Sequence, residues 1–413
     1  MTLTRKDCIA LDQKDPLQYC RDRFLTAADR IYLDGNSLGA MSRLAPATLT
    51  ATVEQEWGQD LIQSWNKAGW FELPSILGNR IGTLIGADSG QVVVCDNTSI
   101  NLHKALHAAL GINSSRCRIL AHRGDFPTDL YIIQSAVTSC GREVQVDLIE
   151  NEQEIAERFD QNVAVAVLSQ INYKTGALLD MERVNQAAQS QGVLVVWDLC
   201  HSAGVMPVEL DRYHADFAVG CTYKYLNGGP GAPAYIYAAT RHHQQMTQPL
   251  SGWWSHANPF SFSPEYEPAV GIKRMLSGTQ PILSMRGVEC GLDTYDGVSM
   301  QQVREKSMAL CALFIELIEQ ECSDYGLDVI GPSEFTQRGS HVSIAFEHGY
   351  SVVQAMIDRG VVGDFRAPSL MRFGFSPLYI SFEEVWNAVA TLTDCLHQKS
   401  WLDPKYGRIA TVT

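Results

Sequence analysis

Seven short apolar runs, evenly spread along one stretch of chain, constrain this sequence more than any other feature. They occupy residues 92–95, 119–121, 144–149, 163–168, 193–197, 217–219 and 235–238. Their apolarity is continuous rather than alternating, which suits strands buried on both faces of a parallel sheet. Helical candidates at 49–57, 76–85, 102–110, 130–139, 152–159 and 181–190 precede the runs or supply crossovers between them. The expectation is an α/β chain whose large domain holds a mostly parallel seven-stranded sheet flanked by helices. Past residue 300 the rhythm changes. A long amphipathic helix (303–320) leads to strands at 327–330, 341–346, 361–365 and 370–375 with helices at 352–359 and 382–395, a smaller α+β domain. The expected division is 1–40 as an N-terminal segment packing with the small domain, 41–295 as the large domain and 296–413 as the small one.

In open α/β sheets ligands bind at the carboxyl ends of the strands, so the residues that follow each run carry the functional signal. Asp198 ends the run 193–197, and Lys224 follows the run 217–219. Neighbouring strands would deliver a carboxylate and an amine to one edge. Such a Lys can form a Schiff base and such an Asp can hold a protonated pyridine nitrogen. Pyridoxal phosphate (PLP) requires that pair; a buried ion pair capping the edge is the alternative. Thr98 and Ser99 fall at a helix N-terminus, where free N–H groups favour an anion such as phosphate, unless they serve only as ordinary caps. Phe126 projects from the loop after 119–121, placed either to stack on a flat ring or to pack under the next helix. The segment 169–176 is another polar strand end on the same side, and convergence of several such ends raises the weight of each.

Outside the sheet, the turn at 32–39 brings Ser37 to a tight bend where a ligand can approach. Trp65, Trp70 and Phe71 either line a pocket or pack on a neighbour. Residues 250–285, with Trp253-Trp254, break the βα rhythm and read as an interface or site loop. Arg366 and Arg372 flank strands in an acidic chain. Arg can hold a carboxylate through two parallel bonds; a surface salt bridge is the alternative, and for Arg366 the preferred one.

Charge and cysteine usage exclude other classes. Lys and Arg number 32 against 46 Asp and Glu, a net charge of -14, which disfavours nucleic acid and anionic membrane as partners. No run is long enough to span a bilayer, and Lys6, Asp7, Asp12 and Asp15 leave no signal-peptide core, so a cytoplasmic location is expected. The 11 cysteines form no C-x-x-C pair and read as small core residues of a reduced protein. His242-His243 lacks ligand spacing, so exposed side chains and no metal are expected there.

Several of these segments together resemble one family. Tyr32-Leu33-Asp34-Gly35-Asn36-Ser37-Leu38-Gly39, Phe126-Pro127-Thr128-Asp129, Trp197-Asp198-Leu199-Cys200-His201-Ser202-Ala203-Gly204, Thr222-Tyr223-Lys224-Tyr225-Leu226-Asn227-Gly228-Gly229-Pro230-Gly231, Gly252-Trp253 and Arg372-Phe373 look like kynureninases, PLP enzymes of the aspartate-aminotransferase-like fold (fold type I). The likeness runs from about residue 30 to 380. It implies hydrolysis of L-kynurenine to anthranilate and L-alanine in tryptophan degradation, by a homodimer with shared active sites. Lys224 is then the lysine bound to the cofactor and Asp198 the partner of its ring nitrogen. Phe126 stacks on the ring, with Asp129 and His201 around it. Thr98, Ser99 and Tyr223 hold the phosphate, joined by Trp253 and Thr279 from the other subunit. Arg372 receives the substrate α-carboxylate, with Ser37 nearby. Tyr223 is either a phosphate ligand alone or also the proton donor. Trp65, Gly278 and Thr279 look like the bacterial enzymes that favour kynurenine over 3-hydroxykynurenine. Rival readings are a cysteine desulfurase or class V aminotransferase on the same fold, and a non-catalytic binding module. The loop 331–340 lacks the cysteine a desulfurase needs, and both Lys224 and Asp198 are intact.

Overall fold

The protein is described by a computed structural model covering residues 2–27 and 29–408. A two-residue strand, β1 (Ile31–Tyr32), precedes the main sheet. That sheet is built from β2 (Val92–Val94), β3 (Arg118–His122), β4 (Gln145–Ile149), β5 (Val163–Ser169), β6 (Leu194–Asp198), β7 (Phe217–Gly220) and β8 (Tyr235–Ala238). Their order across the sheet is β2-β8-β7-β6-β5-β3-β4. The five strands from β7 to β4 run parallel, while β8 is antiparallel to both neighbours. All seven apolar runs are therefore strands of one sheet.

Both faces of this sheet are covered, which is why the runs read as continuous. Along β6, Val195 and Trp197 join one core cluster while Leu194 and Val196 join the other. Each such side chain contributes roughly 1.5–3 kcal/mol by leaving water. The buried indole N–H of Trp197 donates to Asn185 Oδ1 at 2.9 Å, so the apolar layer leaves no unmet donor there. The helix Met181–Ser190 that carries Asn185 starts at Asp180, whose side chain accepts from Arg183 N.

The C-terminal part opens with the 23-residue helix Met300–Cys322. It packs beside a four-stranded antiparallel sheet, β12-β13-β10-β9, formed by β9 (Asp328–Ile330), β10 (His341–Ala345), β12 (Asp364–Arg366) and β13 (Leu370–Gly374). The expected single strand at 361–365 is two. β11 (Val361–Val362) pairs parallel with β1, and β12 pairs antiparallel with β13. Gly363 separates them because the chain passes hard against β13 there; a Cβ would lie 2.8 Å from the Phe373 ring. The N-terminal residues meet this unit through Lys306–Asp15 at 2.6 Å and through Asp12, which accepts from Phe382 N and Glu383 N at 2.7 and 2.9 Å. Two helices also differ from expectation. Residues 49–57 divide into an α-helix, Ala45–Ala51, and a π-helical stretch, Thr52–Trp57, and the segment at 152–159 is a 3₁₀ helix, Glu152–Arg158. No helix among the described residues is long and apolar enough to cross a membrane.

Candidate active site

The site lies at the carboxyl ends of the parallel strands. Asp198 is the last residue of β6, 7 % exposed, and one of its oxygens accepts from Cys200 N at 2.7 Å. Lys224 follows β7 in a tight turn closed by Gly228 N donating to Thr222 O (2.8 Å) and Asn227 N donating to Lys224 O (2.9 Å). Asn227 occupies the left-handed region at φ 58, a conformation Asn tolerates better than most residues. Lys224 Nζ sits 3.0 Å from His201 Nε2. Burial first, then the charge of Lys224, pushes the His201 pKa well below its usual value, so this imidazole is neutral.

Asp129 stands on the first turn of the helix Pro127–Ser139, buried beside Asp198. Burial and the Asp198 charge raise its pKa well above the carboxylate range. Phe126 caps that helix, 44 % exposed and edge-on to Tyr173 at 5.2 Å. Thr98 and Ser99 open the helix Thr98–Ile112, whose N-cap Asn97 satisfies Ile100 N; the Thr98 hydroxyl lies 3.7 Å from Cys200 Sγ. Tyr223 is half-buried. The Cys221 thiol and burial raise its pKa, which keeps the phenol protonated.

The loop 32–39 closes over this turn. Gly39 N donates to Tyr223 O at 2.8 Å, and a Cβ at Gly39 would stand 2.2 Å from Lys224 O, so only glycine permits the approach. The same loop carries Ser37 to a buried ionic cluster. Ser37 Oγ donates to Asp364 Oδ2 at 2.7 Å. Arg372, 2 % exposed, donates from Nε to Asp364 Oδ1 at 2.8 Å and makes a second, parallel bond to the same carboxylate. Its Nη1 donates to Tyr173 O at 2.7 Å, and its Nη2 lies 3.3 Å from Ser37 Oγ. The fork of Arg372 is thus closed on Asp364, with one N–H left over. Arg366 pairs with Asp364 at 2.8 Å from a more exposed position. Asp34 completes the cluster; burial and the Asp364 charge push its pKa up to about 7.

Other expected residues lie apart. Trp65 packs in an aromatic cluster against Trp70 and Trp254 at 5.5 and 5.1 Å. Trp253 is 42 % exposed, and Gly278 and Thr279 are exposed just ahead of the helix Ile282–Asp293. Among the described residues no hydrogen bond or ring contact joins Trp65, Trp253 or Thr279 to the Asp198–Lys224 group. His242 is not exposed as expected. It is 8 % accessible, bonded to Asp216 at 2.8 Å and stacked on Phe217, because the buried Asp216, just ahead of β7, needs partners. Asp364 and His341 escaped the sequence reading; a polar residue inside an apolar strand is the only local signal either leaves.

The residues at this edge fit PLP. A carboxyl group, an amine and a helix N-terminus converge, and the buried Asp129 Oδ2 and His201 Nδ1 have no hydrogen-bond partner among the described residues. Likeness to solved structures agrees on the fold. A cysteine desulfurase from Thermococcus onnurineus NA1 superposes with TM-score 0.78 at 17% identity, covering 92% of this chain and 98% of that one. A C-DES variant with glycine covalently linked to its PLP cofactor gives TM-score 0.76 at 17% identity, covering 91% and 99%. The chain shares the fold of these two proteins, and the residues at its strand edge fit PLP. The family model for the kynureninase C-terminal domain matches residues 303–392. A kynureninase from Burkholderia pseudomallei is 47% identical over 414 residues, covering 99% of this chain and all of its own length. The chain belongs to the kynureninase family.

Proposed function

We propose that this enzyme hydrolyses L-kynurenine across Cβ–Cγ to anthranilate and L-alanine, with PLP held at the Asp198–Lys224 edge. Full-length likeness to a kynureninase, with amine, carboxylate and helix N-terminus all in place, is the observation that carries this reading. When bound, PLP supplies an electron sink for a carbanion at the substrate Cα. Asp198 keeps the proton on the ring nitrogen, and Phe126, Asp129 and His201 surround the ring. Thr98, Ser99 and the helix N-terminus behind them hold the phosphate with Tyr223. Lys224 Nζ moves the Cα proton as general base; a neutral His201 at 3.0 Å can take a hydrogen bond from that amine without adding charge. The protonated Tyr223 hydroxyl is the donor for Cβ. Arg372 and Ser37, at the centre of a cluster with Asp364 and Arg366, receive the α-carboxylate.

The enzyme acts as a homodimer in which Trp253 and Thr279 of one subunit complete the phosphate site of the other. The absence, among the described residues, of any hydrogen bond or ring contact from them to Lys224 supports this, as does the apolar surface at Met41, Val53, Trp57 and Ile62, 43–76% exposed. A groove of about 790 Å3 beside it is lined by Leu25, Leu38, Gly229 and Leu283, adjoining the turn that carries Lys224. The division at residues 40 and 295 separates the large sheet from the unit that holds Arg372. Trp65, Gly278 and Thr279 favour kynurenine over 3-hydroxykynurenine. The test is anthranilate fluorescence with L-kynurenine and its 3-hydroxy analogue as competing substrates, and cysteine as control. Equimolar anthranilate and alanine, with higher kcat/KM for kynurenine, is expected; sulfide from cysteine in place of anthranilate refutes the reading.

A further inference from the structure

We propose that His341, with His201, brackets an ordered water beside Lys224, and that His341 positions this water for attack on the substrate γ-carbonyl. The inference rests on the hydrolytic reaction proposed above, which consumes one water for each bond cleaved. His341 begins β10 and is fully buried. Its ring centroid lies 5.5 Å from that of His201, whose Nε2 in turn lies 3.0 Å from Lys224 Nζ. Asn36 adjoins His341 across the strand pair. His341 is the cross-strand partner of Gly374, and the Asn36 amide fills the space a side chain at Gly374 would need, with Oδ1 1.9 Å from an added Cβ. Cross-strand partners project to one face of a sheet, so the ring and the amide sit side by side.

Five polar atoms in this chain of groups are buried without a hydrogen-bond partner among the described residues: His201 Nδ1, both ring nitrogens of His341 and both amide atoms of Asn36. Orphaned buried polar groups are costly, and ordered water bonded to two to four of them is the usual remedy. Packing alone would be served by apolar side chains of the same size. Burial first, then the Arg372 charge, pushes the His341 pKa down to about 3, so its ring stays neutral. A neutral imidazole has one donor and one acceptor, which suits it to orient a water rather than to take its proton. Lys224 and Arg372, both assigned to the substrate, are near enough for their charges to bear on His201 and His341.

The experiment compares two reactions of PLP-loaded enzyme carrying His341→Leu or His341→Gln. One is hydrolysis of L-kynurenine. The other is exchange of the L-alanine Cα proton in D2O, followed by NMR, which needs Lys224 and Arg372 but no attacking water. His341→Leu should lower kcat for hydrolysis about 100-fold, the scale of losing one positioned reactant, with KM and alanine exchange within about threefold. His341→Gln, which can still bond water, should regain about tenfold of that loss. Hydrolysis retained within about threefold in His341→Leu overturns the proposal. So does a parallel fall of hydrolysis and exchange, or a Gln variant no better than Leu. Wild-type enzyme that makes no anthranilate yet exchanges alanine would instead refute the hydrolytic reading.

Discussion

Replacing Arg372 by Ala separates two contributions that this side chain makes. The substitution removes two parallel bonds to Asp364, one to Tyr173 O and one to Ser37. Asp364, 1 % exposed, keeps Arg366 at 2.8 Å and Ser37 at 2.7 Å, so its charge is only half orphaned. Breaking a buried pair from one side costs about 3–5 kcal/mol, and the surviving partners place this case near the lower end, about 3 kcal/mol. Loss of the carboxylate anchor is a separate term of about 2–5 kcal/mol in transition-state binding. That corresponds to a fall in kcat/KM of roughly 30- to 4000-fold. Denaturant unfolding and anthranilate fluorescence measure the two terms on the same protein. Removing Asp364 as well, in Arg372→Ala with Asp364→Ala, relieves the orphaned charge. Stability should then largely return while kcat/KM stays low. If the double variant recovers both, Arg372 is a structural counter-ion and the substrate carboxylate is bound elsewhere, with Arg366 the next candidate. A single variant with near-normal kcat/KM leads to the same conclusion.

Asp34 should make stability fall as pH rises. Its folded pKa of about 7 exceeds the unfolded value of 3.8, so the native state holds an extra proton between them. The slope, at most about 1.4 kcal/mol per pH unit, applies from about pH 4 to 7, and Asp34→Asn should flatten the melting temperature over that range. An unchanged profile would remove Asp34 from the cluster's proton balance. Gly39→Ala should weaken activity and melting temperature together, because its Cβ would press on Lys224 O at 2.2 Å; a fully active variant would show that the loop 32–39 does not fix the lysine turn. Mixing Lys224→Ala with an inactivating Thr279 variant under subunit exchange should restore about a quarter of wild-type activity, since random pairing gives half mixed dimers with one good site in two. No recovery would place Thr279 in the site of its own chain.

Much of the architecture was legible because parallel strands buried on both faces leave unbroken apolar runs, and the seven runs are the seven strands of the large sheet. That Asp198 and Lys224 follow neighbouring strands was legible for the same reason: Asp198 ends its run, Lys224 comes one short turn after its own, and adjacent parallel strands end at one edge. The ionic cluster was not. It depends on the break at Gly363 that sends Val361–Val362 to β1 and Asp364–Arg366 to β13, and on a loop more than 300 residues away that brings Ser37 to Asp364. His341 was hidden differently. A lone histidine in an apolar strand reads as core, and only register shows that Gly374 opposite it leaves room for Asn36. The burial of His242 likewise follows from Asp216, a contact across 26 residues that no spacing rule encodes.

The most direct test of the account is to reduce the PLP-loaded protein with borohydride and map the labelled peptide. Lys224, 3.0 Å from a neutral imidazole and behind the carboxyl edge of β7, should carry the pyridoxyl group, and Lys224→Ala should carry none there. Lys104, the buried amine on the helix Thr98–Ile112, is already engaged by Asp96 and Met275 O at 2.6 Å each and should stay unlabelled. Label on Lys104, or on any lysine other than Lys224, would contradict the assignment of the site.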